Sequence, residues 1–171
     1  DYTVHTLMQQ VSIVFQDVTL FDNTIMENIR VGKKDATDAE VMEAAKRANV
    51  PEFAEKLPDG MQTRIGENGS ELSGGERQRI SIARALIRDP KVIVLDEATS
   101  ALDSISEKLI QQALNNLTEG RTTFIVAHRL STIRDADRIA VIADGHCTEY
   151  GTYDELMALK GEFYQLKQIQ S

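Results

Sequence analysis

The stretch Val92-Ile93-Val94-Leu95 is a continuous apolar run that closes on two carboxylates, Asp96 and Glu97. A strand that is apolar at every position has no side meant for water. It is therefore expected inside a sheet covered on both faces, and such sheets are parallel, built from strands alternating with helices. Upstream, Leu72-Ser73-Gly74-Gly75-Glu76-Arg77-Gln78-Arg79 sets a Ser-Gly-Gly turn at the head of a predicted helix that runs to about Arg88, with Pro90 closing the unit. An anion cradle at a helix start, followed by a buried strand ending in two acids, points to a nucleoside triphosphate.

The rest of the chain follows the same alternation. Val11 to Phe15 is a short apolar run read as a central strand. Val41, Ala44, Ala45 and Ala48 recur at helical spacing behind a Thr37-x-x-Glu40 capping box. Pro51, Pro58 and Gly60 punctuate a connecting region. Ile105, Leu109, Ala113, Leu114 and Leu117 mark an amphipathic helix, and Thr122 to Ala127 a strand that ends at His128. Ile139 to Ala143, Asp144-Gly145 and His146 to Tyr150 read as a hairpin with a tight turn. Thr152-x-x-Glu155 caps a helix that Gly161 separates from a last one. The expected class is α/β: a mostly parallel sheet with flanking helices.

Composition narrows the functions open to the chain. With 42% hydrophobic residues in 171, it can bury a sizeable core. A net charge of -8 argues against nucleic acid as a partner, so the local cluster Arg77, Arg79, Arg84 and Arg88 is read as a helix surface with ion pairs. A single Cys147 excludes an internal disulfide, and the three histidines lack metal-ligand spacing to it. No apolar run approaches the ~18 residues of a membrane span.

Four places carry chemistry. Two glycines in a first helical turn cost about 1 kcal/mol each against alanine, which asks for a reason beyond helix stability. Bare N–H groups at Ser73-Gly74-Gly75-Glu76 can approach an anion closely, and the helix dipole favours negative charge there. An ordinary capped helix start fits the same four residues. Asp96 suits Mg²⁺, directly or through water, and Glu97 suits the polarisation of an attacking water. Acids are also common where a strand gives way to a loop. Gln16 and His128 follow two further strands, and either alone fits a satisfied polar residue at a strand exit. Parallel strands end on one edge of a sheet, so the amide, the acids and the imidazole would gather there.

In these motifs the chain resembles the nucleotide-binding domain of ATP-binding cassette (ABC) transporters. Leu72–Glu76 matches the family signature and Val92–Glu97 its Walker B strand. Ser100-Ala101-Leu102-Asp103 looks like the D-loop, Gln16 like the Q-loop glutamine and His128 like the switch histidine. Thr63-Arg64-Ile65-Gly66-Glu67-Asn68-Gly69 looks like the X-loop of exporters. The resemblance covers essentially the whole chain. It implies part of the P-loop NTPase fold, with a helical signature subdomain over about residues 24–88 and the catalytic core in 1–23 and 89–171.

One family motif is missing. A phosphate-binding loop needs Gly, four residues, then Gly-Lys-Ser/Thr. Gly69 and Gly74 have the glycine spacing but lead into Gly75-Glu76, and Gly32-Lys33 is followed by Lys34. In the family this Walker A loop precedes the Q-loop, so the chain is expected to be a piece that begins between the two. The resemblance implies two such domains stacked head to tail around two ATP molecules. Ser73, Gly74, Gly75 and Glu76 would face the γ-phosphate held by the partner domain. Asp96 and Gln16 would serve Mg²⁺, Glu97 would be the general base, His128 would contact the γ-phosphate, and Asp103 would lie at the dimer seam. Val18, Leu20, Phe21 and Glu67 are candidates for contact with a transmembrane domain, although the three apolar residues also fit a place in the core. The parent would be an exporter with this part on the cytoplasmic face of the cell membrane. A non-catalytic dimerisation or regulatory module, and a DNA-repair type of ABC ATPase, are the other readings; the X-loop resemblance and the acidic charge weigh against the latter.

Overall fold

The computed structural model describes residues 3–96 and 103–170. They form two compact units that divide between Val126 and Ala127. Among the described residues, no helix is long and apolar enough to cross a membrane.

The first unit begins with helix α1 (Val4–Gln9) and strand β1 (Val11–Val14), followed by α2 (Ile25–Arg30), α3 (Asp38–Arg47) and α4 (Pro51–Ala54). Then come α5 (Gly74–Ile87), β2 (Val92–Asp96), α6 (Ser104–Thr118) and β3 (Thr122–Val126). The three strands pair in parallel in the order β1-β2-β3. Val14 lies opposite Leu95, and Asp96 opposite Val126, so all three strands end on one edge.

Local chemistry starts the helices where the sequence places them. The Oγ1 of Thr37 accepts from the Glu40 N–H, and the Glu40 carboxylate accepts from the Thr37 N–H at 2.8 Å, closing the expected capping box. A hydrogen bond from Lys33, with help from Thr37, draws the Glu40 pKa down to about 2. α3 then buries Val41, Ala44 and Ala45, with Ala48 buried just beyond its end. The long α5 is the hub: it packs against α2, α3, α6 and β1. Its Ile80, Ile82 and Ala83 are fully buried.

The structure departs from expectation in several ways. β1, central in the character of its sequence, pairs only with β2 and so forms an edge of the described sheet. Ser12, Val14 and Ile93 are buried on one sheet face, whereas Ile13 and Phe124 on the other are 45% and 60% exposed. Among the described residues, that second face has no cover, so β2 is not buried on both sides. Three short helices, α1, α2 and α4, were not individually foreseen. α1 carries exposed Leu7 and Met8 and has no buried stripe to betray it; α4 starts on Pro51, where the ring's fixed φ favours a first turn. In α6 the buried stripe is Ile110, Ala113 and Leu117, while Ile105 is exposed.

The second unit holds the hairpin β4 (Ile139–Ala143) and β5 (His146–Gly151), then α7 (Tyr153–Leu159) and α8 (Glu162–Ile169). Asp144 and Gly145 both have positive φ, 49° and 78°, the pair of values that a two-residue turn between twisted strands demands. Its core gathers Leu130, Ile133, Ile139, Val141, Leu156 and Phe163.

Candidate functional site

Ser73 sits at the N-cap of α5 in extended conformation. Its hydroxyl accepts from the Glu76 N–H at 3.2 Å, and the Glu76 carboxylate accepts from the Ser73 N–H at 2.8 Å. Each side chain thus accepts from the other residue's backbone N–H, and the Ser73 hydroxyl keeps its own proton to donate. The N–H groups of Gly74 and Gly75 belong to the first turn, which a helix leaves without internal acceptors. Ser73 and Gly74 are exposed. The exposed start of α5 therefore leaves first-turn N–H groups without a helical acceptor.

Gly75 has a second reason for lacking a side chain. It is buried, and a Cβ there would lie 3.0 Å from the Cβ of Ser106 and 3.2 Å from its Oγ. Ser106 is in the first turn of α6, so two helix N-termini lie side by side at Gly75. Asp103 caps the second: its carboxylate accepts from the Ser106 N–H at 2.9 Å and the Ile105 N–H at 3.1 Å. The Ser106 hydroxyl and then these amides hold the Asp103 pKa below the ordinary carboxylate value. Ser106 is a residue that sequence reasoning missed, because nothing local marks it as the partner of a glycine 31 positions earlier.

Gly75→Ala is expected to destabilise the first unit. Alanine recovers up to about 1 kcal/mol of helix propensity, but overpacking costs roughly 1–3 kcal/mol, and a Cβ fixed to the α6 backbone cannot rotate away. Denaturant titration should show a lower midpoint, and the loss should vanish in a Ser106→Gly background.

Asp96 closes β2, half-buried, at the edge where the strands end. Gln16 follows the end of β1 on that same edge and is exposed. Among the described residues, no three His, Cys, Asp or Glu side chains form a metal cluster. One carboxylate and one amide fit Mg²⁺, which keeps several waters and takes phosphate oxygens as ligands. Glu97 and the stretch Ser100-Ala101-Leu102 lie outside the described residues. His128 belongs to the second unit and is exposed.

The stretch 63–69 is built onto the segment that follows Gln16. The Asn68 Oδ1 accepts from the Leu20 N–H at 2.9 Å, and the Ile25 N–H donates to the Thr63 carbonyl at 3.1 Å. Leu20 is buried and belongs to the core, which decides for the core reading of this residue against the contact reading. Phe21 and Glu67 are exposed and Val18 is half-buried. A cleft of about 300 Å³ opens beside Asp17, Val18 and Thr19, with Val31 and Arg84 on its walls.

Of the arginine cluster, Arg88 is exposed, Arg77 and Arg84 are half-buried, and Arg79 alone departs from a surface position. Arg79 is 3% exposed, bonds Glu52 at 3.0 Å and lies 4.8 Å from the Phe53 ring centroid. Arg84 donates to the carbonyls of Thr19 and Asn28, both at 2.9 Å, and burial lowers its pKa. Arg88 donates to the Met8 carbonyl at 2.7 Å. These guanidiniums tie α5 to its neighbours.

The model of a family described as "ABC transporter" matches residues 1–100. The chain is 53% identical over 171 residues to the putative multidrug export ATP-binding/permease protein YgaD of Bacillus subtilis, covering all of this chain and 30% of that protein. It is 52% identical over 168 residues to the beta-(1→2)glucan export ATP-binding/permease protein NdvA of Bradyrhizobium diazoefficiens, covering 98% of this chain and 28% of that one. Among solved structures, a bacterial Atm1-family ABC exporter with ATP bound superposes with a TM-score of 0.88 at 41% identity, over 98% of this chain and 29% of that one. The chain therefore spans less than a third of the length of the relatives it matches.

Proposed function

Because this chain belongs to the ABC transporter family, we propose that it is the signature-bearing part of an exporter's ATP-binding domain and works in coupling ATP hydrolysis to export. The observation that carries this reading is the pair of abutting helix N-termini at Ser73-Gly74-Gly75 and Asp103. The positive dipole end and the first-turn amides of α5 make a receptor for a phosphate, while the neighbouring start of α6 is already capped by the Asp103 carboxylate.

In this reading the γ-phosphate is presented by a second nucleotide-binding domain, stacked head to tail. Ser73, Gly74, Gly75 and Glu76 receive it, and Asp103 lies at the seam. ATP brings its Mg²⁺, whose charge neutralises the phosphates; Asp96 and Gln16 are the residues of this chain that would hold it. Glu97 takes a proton from the attacking water, and His128 contacts the γ-phosphate. The cleft beside Asp17, Val18 and Thr19, with exposed Phe21 and Glu67, is the surface offered to a transmembrane domain on the cytoplasmic face of the membrane. The subdomain division proposed is 24–88 for the signature part and 1–23 with 89–171 for the core.

Residues 1–171 contain no Gly-x₄-Gly-Lys-Ser/Thr motif. The contacts such a loop supplies are charge-assisted hydrogen bonds worth roughly 1.5–3 kcal/mol each. The test compares the complete transporter with the polypeptide 1–171. The complete protein should hydrolyse MgATP, while the polypeptide alone should bind it only weakly by calorimetry. Micromolar binding to the polypeptide alone would contradict the proposed division of the nucleotide site between two domains.

A further inference from the structure

Gln170 ties the C-terminal helix to the backbone of His128. Within the second unit its Oε1 accepts from the Leu130 N–H at 3.0 Å, and its Nε2 donates to the His128 carbonyl at 3.0 Å. The partners fix the amide's orientation, because only Oε1 can accept from an N–H and only Nε2 can donate to a carbonyl. The two bonds straddle Arg129. Gln170 is exposed, so packing does not hold its side chain in place.

The helix that presents Gln170 is pinned at its start. There, the Glu149 carboxylate of β5 accepts from the N–H groups of Glu162 at 2.6 Å and Phe163 at 3.0 Å. Phe163 is 1% exposed and meets the Tyr153 ring edge-on, with centroids 5.5 Å apart. Leu130 belongs to the same apolar cluster as Phe163. α8 is thus a strut from the β4–β5 hairpin to the segment carrying His128.

We infer that Gln170 is a positioning residue for His128: its side-chain amide, held at the end of α8, clamps the His128–Leu130 backbone and so sets where the imidazole stands. The inference rests on the reading of His128 as a phosphate-contacting group. A shift of about 1 Å in a group that must meet a reacting phosphate can cost on the order of a hundredfold in rate, so a clamp one residue away from the imidazole has consequence. Changes at the C-terminal helix would then reach the hydrolytic site without touching nucleotide.

The test uses the complete transporter. Gln170→Met keeps the length and removes donor and acceptor; Gln170→Glu keeps only the acceptor. In Gln170→Met, hydrogen exchange of the segment 128–133 should accelerate by about tenfold, as expected for lost hydrogen bonds, with the hairpin unchanged. The kcat for ATP should fall by roughly three- to tenfold with KM within about twofold, and Gln170→Glu should fall between parent and Gln170→Met. Unchanged exchange in 128–133 would overturn the clamp. Faster exchange with unchanged kcat would overturn its role in positioning. If His128→Ala itself left hydrolysis at the parent rate, the fault would lie in the functional reading of His128, and the exchange result would still decide the clamp.

Discussion

Replacing Glu97 by Gln in the complete transporter is expected to reduce ATP hydrolysis by about 10²–10⁴-fold while leaving ATP binding intact. The amide keeps the shape of the carboxylate and can still orient a water, but it cannot take the proton. Glu97 directly follows Asp96, which closes β2 on the edge where β1 also ends, after Val14. A steady-state phosphate-release assay checks the rate, and equilibrium nucleotide binding checks the site. Turnover within about threefold of the parent would remove Glu97 from the base role.

The second large effect is expected at Ser73. Ser73→Arg should abolish ATP-driven closure of the two nucleotide-binding domains without weakening ATP binding to either. Ser73 is exposed at the mouth of α5, so a long side chain there meets whatever the helix end is meant to receive. Part of any loss could come from the cap, since removing such a serine costs about 0.5–2 kcal/mol. Ser73→Asp separates the two causes. It keeps a good N-cap but sets a negative charge opposite the phosphate, so it should also prevent closure while the fold remains as stable as the parent. Closure with Ser73→Asp intact would mean that the α5 terminus does not face phosphate.

The features legible in the sequence were those whose causes are local. The capping boxes at Thr37/Glu40, Ser73/Glu76 and Thr152/Glu155 each form from residues three apart, and all three are present. The Asp144-Gly145 turn and the parallel pairing of β1, β2 and β3 likewise follow from short patterns. What could not be read depends on neighbours distant in the chain. Gly75 looked like an anion-binding glycine, and the structure adds that it also makes room for Ser106. Arg79 looked like a surface charge, but the carbonyl of Asn49 draws it inward. Leu20 fitted either an interface or the core, and Asn68 tethers it to the core. Gln170 had no sequence signal at all, because its partners lie about 40 residues earlier. The cover expected on both faces of the sheet was inferred from apolar content alone, which cannot say how many elements are there to supply it.

The most direct test of the account is the separation of the two nucleotide-binding domains in the complete transporter carrying Glu97→Gln. Spin labels on the two domains, placed at exposed Glu71, would report it by pulsed dipolar spectroscopy. The account predicts that MgATP brings the labels together and holds them there, and that adding Ser73→Asp to the same protein keeps them apart although ATP remains bound. Equal approach with and without Ser73→Asp, in a protein with ATP bound, would contradict the claim that this chain's signature helix receives a phosphate presented by its partner.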